Sequence, residues 1–141
     1  MADEEIHPRV ALALEKDKGI LGTFGMTLVK ALDGHCEFSA VVPENLVNAA
    51  GFAHGSIAFA LLDTGCAYAL SSTGARGVTL NANTSYIKAA QAGSRLSVSV
   101  DVVSRTRRTA TLRGEVYLED NDERVLAAHG SFVFQLIEVS D

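Results

Sequence analysis

Gly55-Ser-Ile-Ala-Phe-Ala-Leu-Leu-Asp-Thr-Gly-Cys-Ala-Tyr-Ala-Leu70 is the most apolar stretch of the chain, and its reading decides the fold. Its length and its Ala and Leu content favour a helix over a strand. A helix that is hydrophobic on nearly every face has to be buried on every face, so something must wrap it. The second half of the chain offers the wrapper. Val78–Ala89, Leu96–Thr106, Thr109–Leu118 and Arg124–Glu138 are rich in Val, Thr, Leu and Phe. Leu96, Val98, Val100 and Val102 alternate with Ser97, Ser99 and Asp101, the period-two pattern of a half-buried strand. Turn signals at Gln91–Gly93, Arg105–Arg108 and Asp120–Asp122 separate these segments.

Before the apolar stretch, strands are expected near Phe24–Leu32 and His35–Val42. They are joined by Asp33-Gly34, a tight-hairpin signal. Pro43 to His54 reads as loop. Val10–Lys18, after Pro8, reads as a short helix stopped at Gly19. The order is therefore helix, two strands, long buried helix, four antiparallel strands. A single antiparallel sheet curling round the helix would bury it. The expected class is α+β, with residues 1–141 as one domain and 1–19 as an N-terminal helical segment.

The chain has 141 residues, 17 acidic and 12 basic, a net charge of −5 and 48% hydrophobic residues. A domain of that size buries roughly 70% of its unfolded surface, enough for a core without staples. Two cysteines, Cys36 and Cys66, are too few for a disulfide scaffold and read as small core residues of a reducing compartment. The acidic start and the lack of a long apolar span point to a cytoplasmic protein that does not enter a membrane. Negative charge, no Trp and 6% aromatic residues disfavour nucleic acid as a partner. The four histidines lack metal-ligand spacing, so neither a metal nor a cofactor is expected.

Between Glu44 and Asp101 the chain has one acidic residue, Asp63, and it lies inside the apolar stretch. An ionised carboxylate out of water costs several kcal/mol unless it is paired or hydrogen-bonded. Either Asp63 bonds to neighbouring backbone or to a side chain such as Thr64, or it is a general base or nucleophile held dry, with its pKa raised by desolvation. The start of the same helix offers the complement. His54-Gly55-Ser56 leads into a turn whose first amides have no intrahelical partner, and Gly55 lets a carbonyl approach closely. That is the physical description of an oxyanion hole. His54 reads either as a proton-transfer group or as the residue that shapes the loop. Gly55 and Asp63 are eight residues apart, roughly 12 Å along a helix. One reacting carbon cannot touch both, so the site is expected to be shared across a two-fold dimer.

Asn48-Ala-Ala-Gly-Phe-Ala-His54-Gly55-Ser56, followed by Leu62-Asp63-Thr64, resembles the hotdog-fold acyl-CoA thioesterases of the phenylacetate-degradation type. Gly77–Tyr86, Gly93 and Arg105–Arg108 are similar to that family's third strand, turn and basic hairpin. The resemblance covers about residues 20 to 138 and implies a helix wrapped by an antiparallel sheet, with a homodimer as catalytic unit and a homotetramer of two dimers. It implies Gly55 as oxyanion donor, Asn48 orienting the thioester or water, and Asp63 of the partner subunit activating water or attacking directly. Thr79 would place the water or Asp63. Ser56 stands where a second glycine is usual; its hydroxyl would cap the helix or its bulk would narrow the acyl channel.

Arg105, Arg107 and Arg108 read as a solvated hairpin or as a clamp for the phosphates of coenzyme A. From Lys88 to Arg113 six basic residues face one acid, Asp101, so the net charge hides a local basic patch. The leading expectation is hydrolysis of an acyl- or aryl-CoA thioester. The alternatives are an enoyl-CoA hydratase on the same fold and a non-catalytic acyl-CoA sensor.

Overall fold

The computed structural model describes residues 6–137. Two short helices, α1 (Pro8–Lys16) and α2 (Lys18–Thr23), precede the hairpin of β1 (Met26–Leu32) and β2 (His35–Val41). Asp33 and Gly34 turn that hairpin with φ of 50° and 85°, the left-handed pair of a type I′ turn, and Leu32 faces His35 across it. The long helix α3 (Gly55–Ser71) follows, then β3 (Arg76–Tyr86), β4 (Arg95–Arg105), β5 (Thr109–Asp120) and β6 (Glu123–Ile137). All six strands form one antiparallel sheet in the order β1-β2-β4-β5-β6-β3. The sheet curves around α3, the arrangement that the resemblance implied.

Period-two patterning decides which side of the sheet meets the helix. Leu96, Val98 and Val100 of β4 are buried with Leu112 and Val116 of β5 and Phe132 and Phe134 of β6. They form one core with Leu61, Leu62, Cys66 and Leu70 of α3. Two glycines let the helix lie close. A Cβ at Gly65 would come within 2.8 Å of Val100 Cγ2, and one at Gly114 within 2.9 Å of Leu62 Cδ2. Helix and sheet meet where side chains are missing on both.

Several expectations need correction. The N-terminal helix does not stop at Gly19. The break falls at Asp17, whose carboxylate accepts a 2.9 Å bond from the buried Tyr68 hydroxyl, and Gly19 lies within α2. That contact pins the segment to α3. Phe24 ends α2 instead of opening β1. β3 begins at Arg76 and ends at Tyr86, so Ile87–Ala89 lie outside it. The expected end of the last strand at Glu138 lies outside the described residues.

The largest correction concerns α3, which is not buried all round. Gly55, Ser56 and Phe59 are exposed, and Asp63 and Ala67 are half-buried, so one stripe of the helix stays open. β3, the edge strand beside it, is open too: Val78 is 51% and Leu80 56% exposed. The physical reason is the strand order. The sheet ends at β3 and leaves that flank of α3 uncovered. No helix among the described residues is long and apolar enough to cross a membrane.

Candidate active site

The loop before α3 is built by its own polar side chains. Asn48 Oδ1 accepts bonds from the amides of Ala50 and Phe52 at 2.9 and 3.1 Å, and Asn48 N–H donates to the Phe52 carbonyl. Asn48 thus braces the loop, and no contact joins its side chain to Gly55. His54 is the N-cap. Its Nδ1 accepts from the Ser56 amide at 3.0 Å and lies 2.8 Å from Ser56 Oγ. Capping was expected of the Ser56 hydroxyl; the imidazole does it, because His54 occupies the extended N-cap position with φ −62° and ψ 143°. An Nδ1 that accepts leaves the ring proton on Nε2.

Gly55 is the first helical residue, and its N–H has no hydrogen-bond partner among the described residues. It is one of the orphan donors at a helix start, where the dipole adds to its pull on negative charge. A cleft of about 350 Å³ opens beside it, with His54, Tyr86 and Lys88 contributing the polar side chains to a largely apolar lining. A Cβ on Gly55 would sit 3.7 Å from the Tyr86 ring, so the missing methyl leaves a methyl-sized gap between helix and ring. Tyr86 and Lys88 were not singled out in the sequence. The signal was present in a tyrosine at a strand end, but it is visible only once the strand is known to stop there.

Asp63 lies on the open stripe, where Thr79 Oγ1 of β3 donates to Asp63 Oδ1 at 2.6 Å. The expected neighbour Thr64 makes no such bond. The dry surroundings expected of Asp63 are not found within one chain: the carboxylate is half-exposed, for want of anything over that flank of α3. Oδ2 has no partner among the described residues. Cys66 is fully buried, and its thiol is pushed up, by burial first and the Asp63 charge second. It fits the expected core role and does not compete as a nucleophile. No group of three or more metal-binding side chains occurs among the described residues.

The structure brings Thr79 to Asp63 and joins His54 to Ser56, and it holds both pairs away from the arginines. Thr106 Oγ1 organises the β4–β5 turn by accepting from the amides of Arg108 and Thr109 at 3.2 and 3.0 Å. Arg105 Nη1 donates to Thr73 Oγ1, at the far end of α3 from Gly55. Seventeen residues of helix separate the two ends by roughly 25 Å. Arg107 and Arg108 flank a groove with Leu80 of β3, on the open side of the molecule.

The comparisons with known proteins agree with this geometry. The model of a family described as the thioesterase superfamily matches residues 50–125, a span that includes Gly55, Asp63, Thr79 and the three arginines. A protein of Archaeoglobus fulgidus named "Putative esterase" is 26% identical over 130 residues, covering 92% of this chain and 83% of its own. A crystal structure of a mutant phenylacetic acid degradation protein PaaI from Thermus thermophilus superposes with a TM-score of 0.76. It is 27% identical, over 82% of this chain and 96% of that one. The smu.793 protein of Streptococcus mutans UA159, bound to acetyl CoA, gives 0.73 at 26% identity, over 79% and 88%.

Proposed function

Since this chain belongs to the thioesterase superfamily, and is by that membership a thioester hydrolase, we propose that it hydrolyses acyl- or aryl-CoA thioesters to the free acid and coenzyme A, at a site shared by two protomers. The relative bound to acetyl CoA supports coenzyme A as the leaving group, and the PaaI relative supports an arylacetyl acyl group such as phenylacetyl. Superfamily membership favours hydrolysis over the hydratase and the sensor.

The observation that carries the proposal is the pair of unspent groups on α3. The Gly55 amide donates to nothing, and Asp63 is held by Thr79 with one oxygen free. In the reaction the thioester oxygen rests on Gly55 N–H, and negative charge develops there as the carbonyl carbon is attacked. Asp63 of the partner subunit either takes a proton from the attacking water or adds to the carbon itself, forming an anhydride that water then opens. The carbon–sulfur bond breaks, the thiolate leaves and is protonated, and the acid departs. Thr79 fixes the carboxylate's orientation, while Asn48 and His54 hold the loop that presents Gly55.

If Asp63 faces the partner's Gly55 in both directions, the two-fold axis lies level with Phe59, midway between them. Phe59 is exposed on the open stripe, where its own copy would cover it. The two α3 helices then run antiparallel, and the arginine end of one extends past the Gly55 end of the other. Arg105, Arg107 and Arg108 would hold the coenzyme phosphates of the partner's substrate. The long, apolar edge of β3 would pair with its copy and leave no open edge.

Thiol release from a panel of acyl-CoAs tests the reading. Asp63→Asn is expected to lower kcat by about 10²- to 10⁴-fold while coenzyme A still binds. Equal rates would remove Asp63 from the mechanism.

A further inference from the structure

We propose that the cleft beside Gly55 is the acyl pocket of the same protomer that donates the Gly55 amide, and that it takes a compact, uncharged acyl group, either medium-chain aliphatic or arylacetyl. The inference rests on the thioesterase reading and specifies what that site accepts. Three observations support it, beginning with the shape. Of the lining residues, His54, Gly55, Tyr86 and Lys88 are exposed and form the rim. Ile57, Leu96, Val116 and Ala127 are buried at 1%, 3%, 0% and 6% exposure and form the floor. The cleft therefore leads from the oxyanion donor down toward the core. Its volume of about 350 Å³ is at the small end of ligand sites, and the floor is closed by core residues.

The second observation is chemical. Every polar side chain of the lining stands on the rim, and the floor is aliphatic carbon. A carboxylate or hydroxyl at the end of an acyl group would lose its water there and find no partner, at a cost of several kcal/mol for a charge. The amides of a pantetheine arm would meet the same aliphatic floor, so the arm leaves along the outer surface and the acyl group points inward. The third observation concerns the entrance. The methyl-sized gap between Gly55 and the Tyr86 ring lets a flat thioester lie against the Gly55 amide with its acyl side facing the cleft. Ala53 and Ala58, small side chains on the walls, keep the passage open below.

Specificity profiles of wild type, Ala127→Leu and Val116→Ala test this with acetyl-, octanoyl-, phenylacetyl- and palmitoyl-CoA. Wild type is expected to prefer octanoyl- and phenylacetyl-CoA to palmitoyl-CoA in kcat/KM. Ala127→Leu, which raises the floor, is expected to lower the octanoyl-to-acetyl ratio about tenfold or more. Val116→Ala, which deepens it, is expected to raise the palmitoyl-to-octanoyl ratio. A uniform loss with all four substrates would assign the cleft to the pantetheine arm, and unchanged ratios would remove it from the site; either overturns the proposal. Should Ala127→Leu not fold, Ala58→Leu on the half-buried wall poses the same question. If wild type cleaves no CoA thioester, the functional reading fails by itself, and calorimetry with octanoate decides the pocket. Binding that the leucine variant weakens about tenfold supports the pocket, and no binding overturns it.

Discussion

The two faces of α3 carry nearly the same kind of sequence and do different work. On the closed face Leu61, Leu62, Cys66 and Leu70 are buried against the sheet, and Gly65 admits Val100 at a distance no side chain would tolerate. On the open face Ser56, Phe59, Asp63 and Ala67 look away from the chain's own core. The closed face spends its residues on packing and leaves no polar group over. The open face keeps a carboxylate, an amide at its start and an exposed aromatic ring, all of which make sense only against something further. Apolar character alone does not say what will cover a surface. One face is completed by the chain itself, and under the proposed function the other is completed by a second copy.

The sharpest way to break the contrast is to damage each face separately. Gly65→Val drives a branched side chain into Val100 and is expected to destabilise the fold by about 1–3 kcal/mol or more, at every protein concentration. Leu80→Asp, on the open edge strand, is expected to leave a folded protomer whose mass in light scattering is that of one chain, with hydrolysis lost. A Leu80→Asp protein that stays associated and active would separate the edge from the site. A smaller effect tests the far end of the open side. Neutralising Arg107 and Arg108 together is expected to raise KM for acyl-CoA roughly ten- to a hundredfold while kcat changes little. An unchanged KM would reject the phosphate clamp.

The smallest effect lies on the outer side of the sheet. His35 sits between two carboxylates, with Nε2 2.7 Å from Glu37 and Nδ1 2.8 Å from Asp101. Burial pulls its pKa down, but the hydrogen bonds and charges of both acids outweigh it and raise the pKa above its ordinary 6.5. A raised pKa in the folded state stabilises fully below the unfolded value and loses that contribution as pH climbs through the folded one. The melting-temperature gap between wild type and His35→Asn is thus expected to be widest near pH 6 and to shrink toward pH 9. A gap that grows with pH would contradict this assignment.

Much of the fold was legible because each deciding signal is local. Asp33-Gly34 dictates a hairpin by backbone preference alone, and Leu96, Val98 and Val100 declare a strand with one buried side. Asp63 stood out because a lone carboxylate in apolar surroundings is costly. The misses are of another kind. The Asp17 break depends on Tyr68, fifty-one residues away in sequence, which no local pattern reports. The open stripe escaped notice because hydropathy records that a face is apolar and not whether the chain has enough sheet to cover it. His54 outcompetes Ser56 as cap through the backbone angles at one residue. The separation of the arginines from Gly55 follows from strand order, and a sequence states strand order only indirectly.

The central claim is that one α3 supplies the amide and the other the carboxylate, and subunit exchange measures it directly. Gly55→Pro removes the N–H at a position where proline is well tolerated in a helix, behind a residue already extended. Asp63→Asn removes the charge. Each variant alone is expected to be nearly inactive. Mixed in equal amounts and allowed to exchange, they should regain up to about a quarter of wild-type activity. Half the dimers are then mixed, and each mixed dimer holds one site with both groups intact. No recovery after exchange, confirmed by differently tagged subunits, would place both groups in one protomer and contradict the shared site.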